Sequence, residues 1–166
     1  MASPDAPAAE SAPLLRRARL EDLPQLWRLD RICFEAGIAY SQREIRRFLE
    51  IPGAESVLAD AGGELAGFAL GYLDPPDLGR VVTLDVDPAF RRHGLGRRLL
   101  EAILDRLAAA GAARAFLEVD VRNSGAIAFY RERGFRETRR LPSYYGPDLD
   151  AFEMTREVAR RAGSRS

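Results

Sequence analysis

The sequence predicts an α+β (mixed α/β) domain: a central mixed, mostly antiparallel sheet of about seven strands with one parallel crossover. Three observations predict it. Two helical patterns followed by a glycine-turned pair of strands give the order of an antiparallel meander packed by helices. A strand, a long amphipathic helix and a second strand then occupy residues 81–121, a succession that makes the two strands parallel neighbours through a right-handed crossover. Two short strand-like runs close the chain.

Residues 1–13 are rich in Ala, Pro, Ser and acidic side chains and cannot bury much apolar surface, so they are expected to be a disordered N-terminal tail. Residues 159–166 are expected to be a flexible C-terminal tail, which leaves one domain over 14–158. Leu14–Leu20 reads as a short strand. Asp22, with Gln25 after it, opens a helix whose Leu23, Leu26, Trp27 and Ile32 form an apolar stripe. Ser41 and Glu44 make a capping box ahead of Ile45, Phe48 and Leu49, and Pro52-Gly53 stops that second helix. Ser56–Ala59 and Glu64–Leu73 are strand-like and are joined by Asp60-Ala61-Gly62-Gly63, where glycine supplies positive φ. Asp74-Pro75-Pro76-Asp77 ends the hairpin, and Val81–Val86 is the next strand. Leu95, Leu99, Leu100, Ile103, Leu104 and Leu107 mark one face of a helix that ends at Gly111. Ala115–Val121 returns as a strand, Ala126–Arg133 is a short helix stopped by Gly134, and Phe135–Arg139 and Leu149–Arg156 supply the final strands.

A chain of 166 residues, 46% hydrophobic, suits one ordinary core. Its 25 basic and 25 acidic side chains cancel, which argues against binding nucleic acid or a membrane surface through overall charge. No apolar run approaches the ~20 residues that span a bilayer, and the first 13 residues lack the basic start and apolar centre of a signal peptide, so the expected location is cytoplasmic. One cysteine, Cys33, and one histidine, His93, provide neither an internal disulfide nor a metal cluster, and no metal is expected.

Residues 86–101, Val-Asp-Pro-Ala-Phe-Arg-Arg-His-Gly-Leu-Gly-Arg-Arg-Leu-Leu-Glu, run from a strand end through a basic loop into the long helix. Gly94 and Gly96 remove side chains that would hold a phosphate away from the backbone, and the first amides of the helix point at an anion with the favourable dipole end. The spacing lacks the Lys-Ser/Thr pair of a nucleoside-triphosphate loop and differs from the longer dinucleotide fingerprint. It therefore suits a diphosphate carried by another ligand; an ordinary solvated turn is the alternative. In the strand that follows, Ala115, Leu117, Val119 and Val121 form one apolar face and leave Phe116, Glu118 and Asp120 on the other. Glu118 in mid-strand is either a working carboxylate or part of a solvated sheet face.

With residues 117–135, Leu-Glu-Val-Asp-Val-Arg-Asn-Ser-Gly-Ala-Ile-Ala-Phe-Tyr-Arg-Glu-Arg-Gly-Phe, added to the glycine loop, the chain resembles the GNAT N-acetyltransferase superfamily over roughly residues 14–158. Within it, the resemblance is to the RimI-type protein N-terminal (ribosomal-protein alanine) acetyltransferases. It implies the GNAT fold with helices on both faces, and an enzyme that moves an acetyl group from the cosubstrate acetyl-CoA to a primary amine by direct attack in a ternary complex. The implied acceptor is the N-terminal α-amine of a protein or peptide. By the same resemblance, the amides of Arg92, His93, Gly94, Leu95, Gly96 and Arg97, with Arg91 beside them, bind the pyrophosphate. Leu84, Asp85 and Val86 pair with the pantetheine arm, and Asn123 bonds the pantetheine or β-alanine portion, unless it serves only as a helix cap.

Acyl transfer from a thioester needs a neutral amine, stabilisation of the developing oxyanion and a proton for the departing thiolate. Tyr130 matches the family's acid; a phenol near pKa ~10 suits a thiolate whose parent thiol titrates at about 8.5 or somewhat above. Glu118 matches the base of the RimI-type branch, acting directly or through a water, with Asp120 and Asp85 in reserve. In the histone-modifying branch the base position falls on Arg80, which closes that route. Ile38, Ala39 and Tyr40 match one wall of the acceptor channel and Tyr144 and Tyr145 the other, while Trp27 and Cys33 are assigned to packing. Asp85 stands where the branch usually has a small residue, and the stretch after Tyr145 is short. An extra carboxylate there would suit a cationic small amine, so a small-molecule amine (amino acid, polyamine or antibiotic-like) remains the alternative acceptor. A non-catalytic acyl-CoA-binding regulatory module and a nucleic-acid binder using Arg91, Arg92, Arg97 and Arg98 are rivals of other classes; the expected partners include no nucleic acid and no membrane. The chain is expected to be a monomer or a homodimer, the latter paired through an exposed last strand.

Overall fold

The structure, a computed structural model, describes residues 11–158. Its strands are β1 (Leu14–Arg16), β2 (Ala54–Ala61), β3 (Glu64–Asp74), β4 (Leu78–Val86), β5 (Arg114–Asp120), β6 (Arg136–Gly146) and β7 (Leu149–Glu157). Its helices are α1 (Leu23–Cys33), α2 (Gln42–Glu50), α3 (Leu95–Ala109) and α4 (Ser124–Glu132). The strands form one seven-stranded sheet in the order β1-β2-β3-β4-β5-β7-β6, antiparallel throughout except for β4 and β5. The expected mixed sheet with one parallel crossover is therefore present. The expected tails fall mainly on residues 1–10 and 159–166, outside the described residues. Among the described residues, no helix is long and apolar enough to cross a membrane.

Helices cover both faces. On one, α3 buries Leu95, Leu99, Leu100, Ile103, Leu104 and Leu107 against Val57, Ala59, Ala69, Val81 and Leu117, joined by Ile127 of α4. Each such side chain stabilises the packing by about 1.5–3 kcal/mol, so the start of α3 is firmly anchored. Gly67 permits the close approach: a Cβ there would lie 2.6 Å from the Asp85 carbonyl oxygen and 2.9 Å from Leu99 Cδ1. On the other face, Leu23, Leu26 and Leu29 of α1 and Ile45 of α2 pack on Leu58, Phe68 and Leu70. The capping box at Ser41 and Glu44 forms as read: Glu44 N–H donates to Ser41 Oγ and Ser41 N–H to Glu44 Oε2.

Four details correct the sequence reading. The first strand stops at Arg16, because the Asp22 carboxylate takes the Arg16 guanidinium at 2.9 Å and the Arg19 N–H at 2.7 Å and bends 20–22 into a short turn. Asp22 thus serves that turn, and no side-chain cap bond to α1 forms. Ile32 is 60% exposed and Leu29 completes the stripe; at about 100° per residue, Ile32 lies half a turn from Leu23. β6 runs on to Gly146 through two irregularities in register, so Tyr144 and Tyr145 stand on a strand. Finally, the last strand is not an edge: β7 lies between β5 and β6, and the edges are β1 and β6.

Candidate active site

The parallel pairing that joins the two halves of the sheet is short. Leu78, Gly79 and Arg80 pair with Arg114, Ala115 and Phe116, and no register pairs follow. β4 remains bound to β3 as far as Val86, and β5 remains bound to β7 as far as Asp120, so the two strands part and open a cleft of about 1170 Å³. Asp87 N–H donates to Ala66 O across β3; by strand alternation the peptide groups of Asp85 also face β3, while those of Leu84 and Val86 face the cleft. The Val86 carbonyl is already engaged by Arg91 Nε at 3.1 Å and by the Cys33 thiol at 3.5 Å, which leaves its N–H available.

The loop leading into α3 lines one end of the cleft. Arg92 and Gly94 both adopt left-handed backbone, at φ 70° and 75°. Glycine adopts this conformation freely, whereas a side-chain-bearing residue such as Arg92 carries a strain of about 1–2 kcal/mol there. Gly94 is the N-cap of α3 and has no side chain to satisfy the first turn. The hydrogen bonds among the described residues leave the N–H groups of Arg92 through Arg97 unpaired. A run of free donors at the positive end of a fifteen-residue helix, with the Cβ direction at Gly94 open, fits a pyrophosphate. Asn123, which also lines the cleft, caps α4 by accepting the Ala126 N–H at 3.1 Å.

At the far end stands a polar cluster of different make. Glu118 on β5 is largely buried and pairs with Arg80 Nη2 at 3.3 Å. The same nitrogen donates to the Tyr144 hydroxyl at 3.0 Å, and Arg80 Nη1 donates to the Tyr72 hydroxyl at 3.1 Å. Burial pushes the Glu118 carboxyl above the usual range, and Arg80 partly opposes it. Burial works against the charge on Arg80, yet the Tyr72 hydroxyl and Glu118 together keep it firmly protonated. Tyr40 and Tyr145 face the same cluster; burial is the main influence raising both phenols. Across the mouth of the cleft, exposed Arg122 at the end of β5 pairs with Glu35, which follows α1, and with Asp120.

Between these ends, Tyr130 of α4 lines the cleft and is held edge-on by Phe129 and Phe135, with ring centroids 5.2 and 5.7 Å apart. Burial, with the Asp85 charge second, raises its phenol. The structure brings Ile38, Tyr40, Leu84, Val86, Arg91, Arg92, Gly94, Leu95, Gly96, Arg97, Glu118, Asn123, Tyr130 and Tyr145 around one cavity, and Tyr144 reaches it through Arg80. Asp85 departs from the reading, since it is fully buried, its hydroxyl partner is Thr83, and neither its carboxylate nor its peptide groups face the cleft. It is thus in no position to hold a cationic amine or to stand in for Glu118. His93 contributes no lining side chain. Cys33 lines the cleft beside Val86, with its thiol pushed up to about 11 chiefly by burial. Sequence reasoning missed Arg80 as the partner of Glu118, and Tyr72 as the hydroxyl that holds Arg80. Arg80 and Glu118 lie 38 positions apart, and only the three-residue parallel pairing brings them together.

A splayed parallel pair beside an uncapped, glycine-led helix, with a largely buried carboxylate across the gap, forms a cleft with an anion-suited end and an acid-base end. A model of the acetyltransferase (GNAT) family matches residues 23–135, and the chain belongs to that family. The chain is 40% identical over 91 residues to the [ribosomal protein bS18]-alanine N-acetyltransferase of Escherichia coli K12, spanning 55% of this chain and 60% of that protein. It is 40% identical over 116 residues to the N-alpha-acetyltransferase RimI of Mycobacterium tuberculosis, spanning 67% and 71%. Several of its curated relatives are thus matched over less than two thirds of their length. Among solved structures, Ard1 from Thermoplasma volcanium overlays with a TM-score of 0.80 at 28% identity, covering 90% of this chain and 99% of that one. The E. coli ribosomal-protein-S18-alanine N-acetyltransferase overlays at 0.78 and 26%, covering 92% and 98%.

Proposed function

We propose that the protein transfers an acetyl group from acetyl-CoA to the N-terminal α-amine of a protein or peptide, by direct attack in a ternary complex. The observation that carries this reading is the cleft itself: one end offers unpaired main-chain donors, and the other a buried carboxylate ringed by tyrosines. The names of the relatives support the acceptor, since they act on protein N-termini, and a solved Naa20 structure similar at 26% identity is in complex with a bisubstrate analogue.

Bound in the cleft, acetyl-CoA supplies a thioester-activated acetyl group. The amides of Arg92 through Arg97 hold the pyrophosphate, and Leu84 and Val86 offer strand-like partners to the pantetheine arm. The free Val86 N–H serves as a donor toward the acyl oxygen. Glu118 takes the proton of the incoming amine, directly or through a water, and its raised affinity for protons suits that task near neutral pH. Tyr130, kept protonated by burial, returns a proton to the departing sulfur. Tyr40 on one side, and Tyr144 and Tyr145 on the other, flank the amine.

The test is a panel of short peptides with free or blocked N-termini, free amino acids and polyamines, each incubated with acetyl-CoA while thiol release is followed. Turnover restricted to free N-terminal peptides is expected. Turnover of free small amines alone would overturn the acceptor, and coenzyme binding without turnover would leave a regulatory module. Tyr130→Phe should slow the reaction by about 10²-fold while coenzyme A affinity holds.

A further inference from the structure

Asp30 on α1 and Asp85 on β4 are both fully buried and interact with each other beneath α1. Asp30 Oδ2 accepts the Tyr40 N–H at 2.6 Å, and Asp85 Oδ1 accepts the Thr83 hydroxyl at 2.6 Å. Asp30 Oδ1 and Asp85 Oδ2 have no partner among the described residues. Two ionised carboxylates in one buried site would each hold an uncompensated charge and an acceptor without a protein donor, an arrangement proteins avoid. One proton between the bare oxygens removes a charge and satisfies both atoms, as in other close carboxyl pairs. The surroundings do not compensate two charges: Cys33 on α1, Tyr40 in the following connection, Glu44 on α2 and Tyr130 on α4 are neutral or acidic, and β3 contributes Phe68 opposite Asp85. Among the described residues, the leading cationic influence on the pair is Arg91, and its side chain is exposed.

The site is also a joint. Through the Tyr40 N–H, Asp30 fixes the connection between α1 and α2; Asp85 lies between the two residues whose peptide groups face the cleft. We propose that Asp30 and Asp85 share one proton between Asp30 Oδ1 and Asp85 Oδ2, and that this bridge is a positioning element holding the Tyr40 wall against β4. The shared proton is independent of what the chain does, whereas the consequence for the acceptor rests on the N-acetyltransferase reading.

Thermal unfolding against pH tests the first part without any activity. The folded pair keeps a proton that unfolded aspartates lose near pH ~4, so the stability it contributes is lost as pH rises toward its folded titration. The double variant Asp30→Asn, Asp85→Asn keeps the shapes and has no proton to lose. Between pH 5 and 8.5, wild-type Tm is expected to fall by about 3 °C more than that of the double variant. If the double variant fails to fold, Asp85→Asn alone carries the same comparison. Parallel Tm curves would overturn the shared proton. For the second part, the ratio of wild-type to variant acceptor KM should climb several-fold over that range while coenzyme A affinity keeps a constant ratio. A flat KM ratio beside diverging Tm curves would overturn the positioning role alone. A protein that acetylates no acceptor would sink the functional reading and leave the Tm result standing.

Discussion

At the α3 end the cleft presents main-chain N–H groups from one continuous stretch, Arg92–Arg97, whereas at the Glu118 end it presents side chains from four separate strands: Tyr72 on β3, Arg80 on β4, Glu118 on β5 and Tyr144 on β6. If, as proposed, peptide groups do the binding, the first end should tolerate exchange of most of its side chains, with the left-handed positions Arg92 and Gly94 the constrained ones. The second is expected to change character with a single substitution, because Arg80 favours the ionised form of Glu118 and Glu118 in turn favours the charge on Arg80. A backbone site therefore defines a fold family, and a side-chain site defines one chemistry within it.

Substitutions at the two ends should separate affinity from rate. The largest effect belongs to Glu118→Gln, which removes the proposed proton acceptor and keeps the shape: kcat should fall by about 10²–10⁴-fold while calorimetry finds coenzyme A affinity unaltered. A parallel loss of affinity would break the division between the ends. Gly96→Leu should do the reverse. A Cβ at Gly96 meets Phe129 at an ordinary 3.5 Å and Val86 at 3.7 Å, so the longer side chain has to displace these neighbours in the cleft wall and should weaken coenzyme A binding about tenfold. Arg80→Gln sharpens the comparison through pH. Arg80 favours ionised Glu118, so its loss lets burial raise that carboxyl further, and the acid limb of kcat/KM should move to higher pH with rates above the limb little changed. An unmoved limb would deny that Arg80 tunes the base. The smallest effect is expected from Glu35→Gln, because its exposed pair with Arg122 is screened by solvent; acceptor KM should change by less than about threefold, and less still in high salt.

The same contrast explains what the sequence could and could not reveal. The glycine loop was legible because its signal is local: Gly94, Gly96 and the helix they open are neighbours in the chain. Glu118 was legible because strand alternation alone sets it opposite Leu117 and Val119, and both are buried as that pattern requires. Arg80 as its partner was not, because that contact depends on the crossover register and on where β4 and β5 part. Asp85 was misplaced for a related reason: its strand was read correctly, but which neighbour its peptide groups bond and which helix its side chain meets are tertiary facts. Ile32 shows that an apolar side chain does not by itself mark the buried face, and β6 shows that a strand with mostly exposed side chains carries little periodic signal beyond Arg139.

The insertion of β7 between β5 and β6 bears on how the chain is made. β5 shares only three register pairs with β4 but seven with β7, so the half of the sheet that carries Glu118 gains most of its backbone partners only after residues 149–157 have been synthesised. The meander β1–β4 with α1, α2 and α3 closes its own contacts much earlier, and it is set to mature first as the polypeptide emerges. Premature termination before residue 149 would thus leave the half that leads into α3 ordered around an unfinished partner, with the edge of β5 bare and open to adventitious strand addition.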